Sequence, residues 1–278
     1  MFRYGPPKLF VKIAVALSWP IMILGKRLSA VPIVKHIINP FFKYPYNEVT
    51  AVPINVAIAP AKSVTLPVQV LSEVVARVNH IFILDECICR SLLNCSNHPR
   101  TIGCMALGEA SHRIHPSHGH RATAQEALEH IAKAAKAGLV ASVAHVWIDP
   151  VAFWSVPFNK LMFICFCDDC CCLYRTHMKK RGENLNKAYK KLPGVTVRVN
   201  FDACNGCGVC AQRCFVAAIQ MKDGMAVIGE DCKGCGRCVQ VCPQQAVEIY
   251  FDDKDTLVAN LVERINKVAD IGLGQQLK

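Results

Sequence analysis

The chain lacks a phosphate-cradling glycine loop and a nucleophile–histidine–acid signature, so nucleotide-driven and triad-type hydrolytic chemistry have no visible carrier. Charge is scarce as well: Asp, Glu, Lys and Arg together make up 19% of its 278 residues. Acid is the scarcer sign, with 21 acidic against 32 basic side chains and a formal net charge of +11. Residues 1–43 hold Arg3, Lys8, Lys12, Lys26, Arg27, Lys35 and Lys43 and no acid at all. Residues 175–191 hold seven basic residues and one acid, Glu183. No nucleic-acid-binding motif accompanies either run, so nucleic acid is not the expected partner. The second run reads as a solvated linker, with an acidic partner surface or anionic lipid as the alternative. Leu9 to Leu24 is strongly apolar but interrupted by Lys12 and Pro20, and its sixteen residues fall short of a comfortable transmembrane span. The expectation is an interfacial segment with Leu9, Phe10, Ile13, Leu17 and Trp19 at the lipid boundary, or an arm buried against a partner.

Cysteine is the residue in excess. Seventeen are too many for a passive core, and nothing resembles a small disulfide scaffold, so reduced thiols in a reducing cytoplasm, that of an anaerobe, are expected. Eight of them form two copies of C-x2-C-x2-C-x3-C: Cys204, Cys207, Cys210, Cys214 and, twenty-eight residues on, Cys232, Cys235, Cys238, Cys242. Zinc knuckles pair C-x2-C units across a longer gap, whereas three cysteines at successive x2 steps suit a cubane [4Fe–4S] cluster. Gly206 and Gly208, repeated as Gly234 and Gly236, let the backbone approach closely and aim N–H groups at sulfur. The fourth cysteine of such a run ligates the other cluster. One cluster is thus assigned Cys204, Cys207, Cys210 and Cys242, and the second Cys232, Cys235, Cys238 and Cys214.

Over about 193–251 the sequence resembles the bacterial two-cluster ferredoxins. The copies share Gln212/Gln240 and Ala218/Ala246, and Pro243 follows the last cysteine as in that family, but Phe215 replaces the equivalent proline of the first run. Val195 to Phe201 alternates like a strand, Ala218 to Ile228 reads as a hairpin turning at Lys222-Asp223-Gly224, and Val247 to Phe251 closes the sheet. Asp255 or Thr256 is the expected cap of a final helix whose Leu257, Leu261 and Ile265 share one face. The module carries five basic and six acidic residues over 195–252, so the chain's positive surplus lies elsewhere.

Nine cysteines remain upstream. Cys87, Cys89, Cys95 and Cys104 form a C-x-C-x5-C-x8-C array following a short apolar strand, Ile81 to Leu84. Cys165, Cys167, Cys170, Cys171 and Cys172 form a second, denser one. Between them Thr123 and Glu126 make a capping box for a helix stopping at Gly138. A C-x-C-Arg segment, a capped helix, Gly138-Leu139-Val140 and a cysteine-dense motif resemble a module of ferredoxin-fused proteins in anaerobic bacteria. A C-x-C pair places two thiolates near one metal, and Cys87, Cys89, Cys95 and Cys104 are the first candidate set for a further centre, iron–sulfur or zinc. Three consecutive cysteines cannot all face one site on a regular element, so the 165–172 array is the second candidate set or a redox-active thiol group. His112, His115, His118 and His120 surround Pro116 and Gly119 and read as a polar loop.

The expected fold is α+β: a C-terminal ferredoxin-like two-cluster module plus a mixed α/β cysteine-rich N-terminal domain. Its divisions are an arm at 1–48, a cysteine-rich domain at 49–178, a basic linker at 179–192, the cluster module at 193–252 and a helix and tail at 253–278. The expected role is single-electron transfer through two [4Fe–4S] clusters to or from a redox protein or oxidoreductase complex, in the cytoplasm or peripheral on the inner membrane face. Two alternatives stand beside it: a redox enzyme whose N-terminal cysteines hold a catalytic metal, and a membrane-docking platform with structural metal.

Overall fold

The computed structural model describes residues 3–56 and 66–273. Part of the apolar opening of the cysteine-rich region and the last five residues of the expected tail lie outside them. The chain combines helices and sheets in an α+β arrangement.

Its frame is a seven-stranded sheet. The strands are β1 (Asn47–Val52), β2 (Ile81–Leu84), β3 (Met105–Leu107), β4 (Gly119–Ala122), β5 (Val140–Val146), β6 (Met162–Cys167) and β7 (Tyr189–Lys191), in spatial order β4-β2-β3-β6-β5-β1-β7. All pairings are antiparallel except β1 with β7. Layers cover both faces, so the central strands read as continuous apolar runs rather than as alternating ones. Alternation still decides which side chain goes where. In β6, Met162, Ile164 and Phe166 enter one core, while Phe163, Cys165 and Cys167 enter the other.

Three helices cover the first face: Leu66–Ala76, Ala124–Lys136 and Lys254–Asn266. The capping box is present at the second, where Thr123 Oγ1 accepts from Glu126 N at 3.2 Å and Glu126 Oε2 accepts from Thr123 N at 2.7 Å. The last helix is capped by Asp253, not by Asp255 or Thr256, because its carboxylate reaches Thr256 N at 2.9 Å. Leu257, Leu261 and Ile265 are buried against the sheet, which makes the end of the chain part of the N-terminal core. Each such aliphatic side chain contributes about 1.5–3 kcal/mol.

The other face is roofed by the helix Lys8–Leu28, longer than the apolar run suggested. By length and composition it could cross a membrane. It is nevertheless fastened to the domain along its length. Lys8 and Lys12 pair with Glu86 at 2.7 and 2.5 Å, Val11 and Trp19 are buried, and Ser29 Oγ accepts from Gly182 N at 2.9 Å. The basic segment 179–192, expected as a linker, forms the helix Glu183–Ala188 and the edge strand β7.

The C-terminal module contains β8 (Val195–Val199), β9 (Ile219–Lys222), β10 (Met225–Ile228) and β11 (Val247–Phe251), paired as β9–β10 and β8–β11 hairpin-like ribbons. Phe215, which replaces the family's proline, is buried in the same core as Cys165 and Cys167. Its ring centroid lies 6.3 Å from that of Tyr189 in β7, a contact that joins the module to the large sheet.

Candidate metal centres

Two short helices, Val209–Arg213 and Arg237–Val241, each begin after a left-handed glycine, Gly208 and Gly236. A Cβ on Gly206, at φ +71°, would fall 2.1 Å from the carbonyl oxygen of Gly224, so the first loop can close against β9–β10 only as glycine. Cys204, Cys207, Cys210 and Cys242 line one recess. Cys214 lies within electrostatic reach of Cys232 and Cys238, which also feel Cys235. Backbone N–H groups point at sulfur in matching places. Ala218 N donates to Cys214 Sγ at 3.2 Å, Ala246 N to Cys242 Sγ at 3.3 Å, and Gly234 N to Cys232 Sγ at 3.5 Å. Four converging thiols with N–H donors beside them fit a cubane's thiolate ligands and the donors that tune it.

Residues 203–246 match the family model of the 4Fe-4S dicluster domain. That domain supports [4Fe–4S] binding and iron–sulfur electron transfer in this part of the chain. No curated protein and no solved structure matches the sequence.

The dicluster domain presents its two ends differently. Cys207 is exposed to solvent. Cys214, Cys232 and Cys235 instead pack against the core that holds Cys165, Cys167 and Cys172. Arg175 fills the seam: its guanidinium donates to Cys235 Sγ at 3.5 Å, pairs with Asp169 at 2.6 Å and lies 4.1 Å over the Phe215 ring. Arg237 pairs with the other oxygen of Asp169 at 2.5 Å and donates to the Gly138 carbonyl at 3.2 Å.

Beyond that seam the nine upstream cysteines redistribute. The two sequence arrays interleave in space. Cys87, Cys89 and Cys104 of the first meet Cys165, Cys167 and Cys172 of the second around a cavity of about 500 Å³ beneath the Lys8–Leu28 helix. The register explains the junction. Met105 pairs with Ile164, so Cys104 falls beside Cys165 one step further on, and Cys165 and Cys167 share a face at i, i+2. Neighbouring thiols interact in series, Cys165 with Cys104, Cys104 with Cys87, Cys87 with Cys89, Cys89 with Cys172, and Cys172 with Cys167. At the end of the series, Cys167 Sγ donates to the backbone carbonyl of Cys165 at 3.7 Å.

The electrostatics of the series are uneven. Hydrogen bonds from Cys104 and Cys89, with help from Arg90, hold Cys87 well below the ordinary thiol value. Burial opposes ionisation of Cys172, yet Cys167 and Cys89 donate to it and bring it well below that value too. Their donors are pushed up: Cys89 by its bonds to Cys172 and Cys87, Cys167 by burial first. Lys26 Nζ, bonded to the carbonyls of Leu173 and Thr176, is lowered to about 8 by burial, while Cys172 and Cys89 pull it back up. The remaining wall is mostly apolar, with one carboxyl group. Asp149 accepts from Tyr174 Oη at 2.7 Å and is pushed by burial up to about 7 against that bond. Six thiols, two of them favouring the thiolate, around a space larger than one atom fit a multinuclear thiolate-ligated centre.

The arginine of the C-x-C-Arg segment holds the two arrays together. Arg90 is 1% exposed. It donates to the carbonyls of Pro99 at 2.9 Å, Phe166 at 2.7 Å and Ile102, and stands 3.4 Å from Asp168. Sequence reading recognised the motif but assigned its arginine no role.

Cys95, Cys170 and Cys171 stand apart from the chamber wall. With Asp168 they form a group whose ligand atoms all lie within 4.8 Å of one another. The four histidines of 112–120 bond elsewhere. His112 Nε2 meets His80 Nδ1 at 2.7 Å, His118 bonds the Pro6 carbonyl, and His120 lies 3.1 Å from Asp85. His118 is buried rather than part of a solvated loop.

Proposed function

We propose that this chain is an iron–sulfur oxidoreductase component in which the C-terminal dicluster domain exchanges single electrons with a redox partner and passes them to a further iron–sulfur centre held in the six-cysteine chamber. The convergence of Cys87, Cys89, Cys104, Cys165, Cys167 and Cys172 on one cavity behind the dicluster domain carries the reading. Bound clusters supply one-electron redox chemistry. The protein's own residues give that chemistry a direction. Exposed Cys207 marks the end a partner reaches, and Cys235 with Arg175 and Asp169 marks the inward end. Phe153, Phe163 and the roofing helix line the chamber with apolar side chains.

Iron, sulfide and EPR measurements on anaerobically purified protein test this. About eight irons per chain would account for the dicluster domain alone and sink the proposal, whereas about twelve or more would support it. Cys87→Ser with Cys172→Ser should then return the count to about eight and leave the two ferredoxin-type signals in place.

A second reading, that the chamber is catalytic, is favoured by its size and by Asp149, a lone half-buried carboxyl group beside Cys165. A spectral change on adding cyanide, confined to signals that Cys87→Ser removes, would separate this reading from pure electron transfer.

We propose further that the chain docks on a membrane surface. Of the twenty exposed large hydrophobic side chains among the described residues, sixteen lie within 9–46 or 147–156. Leu17 and Ile33 are 73% and 85% exposed, and Trp147 and Trp154 stand where interfacial aromatics would. Phe10, Ile21 and Trp154 border the mouths of the chamber and of the adjoining 370 Å³ cavity, which makes these segments one continuous face. Exposed Arg27, Lys35 and Lys43 flank it, in a segment without acids. A helix fastened sidelong to its own domain and apolar outward suits an interfacial position better than a crossing.

A further inference from the structure

We propose that Cys95, Cys170, Cys171 and Asp168 form a site for a single zinc ion, distinct from the six-cysteine chamber and from both ferredoxin-type clusters. Cys170 Sγ lies 3.5 Å from Cys95 Sγ and 3.3 Å from Cys171 Sγ, and the Asp168 carboxylate falls inside the same 4.8 Å group. A tetrahedral zinc with bonds of about 2.3 Å to sulfur sets its ligand sulfurs about 3.8 Å apart. A disulfide would need about 2.05 Å, and a cubane distributes its cysteines over separate irons. The chamber thiols line a cavity; these thiols converge on a point.

The loop is built for that convergence. Asp168 Oδ1 accepts from Cys170 N at 2.9 Å and Cys171 N at 2.6 Å, folding the chain so that two consecutive cysteines turn their thiols to one side. Arg90 positions both halves: its backbone carbonyl accepts from Cys95 N at 2.9 Å while its guanidinium faces Asp168 Oδ2. Three thiolates and a carboxylate around Zn²⁺ leave a net negative site, and Arg90 and Arg100, which donates to the Cys95 carbonyl, are the adjacent cations. The next residue, Asp169, holds Arg175 and Arg237. One closed, redox-inert ion would therefore brace the loop between the chamber and the dicluster domain.

Metal analysis of the full chain, purified anaerobically with its clusters, should find about one zinc per chain beside the iron. Cys170→Ala, a change at an exposed position, should lower zinc at least tenfold with iron and EPR signals unchanged. Cobalt(II) exchange into the wild-type protein should produce intense thiolate-to-metal and tetrahedral bands that Cys95→Ala removes. The proposal fails if the wild type holds no zinc and takes up cobalt without those bands. It also fails if Cys170→Ala loses iron in step with zinc, or if mass spectrometry after thiol blocking shows these cysteines joined as a disulfide.

Discussion

The guanidinium of Arg175 lies 3.5 Å from Cys235 Sγ, bringing a buried cation and an N–H donor to a proposed ligand of the inward-facing cluster. A positive donor stabilises the more negative, reduced state of an iron–sulfur centre, so it raises the potential. Charge-assisted hydrogen bonds are worth about 1.5–3 kcal/mol, or about 60–130 mV for a one-electron couple. Arg175→Met should lower one of the two ferredoxin-type potentials by roughly that amount in EPR-monitored titrations and leave the other in place. Two unchanged potentials would remove Arg175 from any tuning role.

Arg90→Leu should be among the most damaging single changes in the chain. It leaves three carbonyls without their donor and Asp168 without its buried counter-ion, a loss of about 3–5 kcal/mol. A fall in Tm of roughly ten degrees is expected for a chain of this size. A shift within two degrees would show that Arg90 does not hold the two cysteine arrays together.

Glu86 links the roofing helix to the loop that carries Cys87. Burial raises its carboxyl pKa, but bonds from Lys12, Lys8 and Ser91 outweigh that and bring it down to about 2 from an ordinary 4.5. A depressed acid contributes its stabilisation fully above the unfolded value and loses it as pH falls through the folded one, here between about 4.5 and 2. Partial exposure limits the contribution to about 1–2 kcal/mol. Glu86→Gln should therefore speed hydrogen exchange in residues 8–28 at pH 7 and at pH 5 alike, with the difference from wild type shrinking only below about pH 4.5. A difference that vanishes between pH 7 and pH 5 would assign the effect to another group.

Leu17→Glu combined with Ile21→Glu alters only exposed positions of the roofing helix. Flotation with vesicles containing anionic phosphatidylglycerol should recover the wild-type chain with the vesicles and lose at least about 90% of that binding in the double variant, with iron content unchanged. Binding should also fall as salt is raised, because Lys35 and Lys43 are exposed. Equal flotation of the two proteins would rule out this face as the docking surface, and resistance of the wild type to alkaline carbonate would indicate a crossing helix instead.

Local information was enough for the dicluster domain and the turns around its cysteines. Cysteine spacing, left-handed glycines and hairpin turns act within a few residues, and the matched segment 203–246 falls inside the stretch they mark. The Thr123–Glu126 capping box was readable for the same reason. The final helix's cap was misread by two residues because three neighbouring side chains could each accept a backbone hydrogen bond, and only the chain's approach angle selects Asp253. The basic segment 179–192 looked solvated because its lysines dominate its composition, while β7 pairs through its backbone with β1, about 140 residues earlier in the chain.

By itself, the sequence determined that this protein would gather thiols in four groups and that two of them would follow the spacing of iron–sulfur cubanes. Ligand spacing within one loop is a property of a few consecutive residues. Which upstream cysteines meet was decided only by tertiary structure. Strand register sets Cys104 beside Cys165, β6 alternation turns Cys165 and Cys167 into one face, and the Asp168 turn directs Cys170 and Cys171 away toward Cys95. The Cys104–Cys165 and Cys95–Cys170 contacts join residues more than sixty positions apart, and no local spacing encodes them.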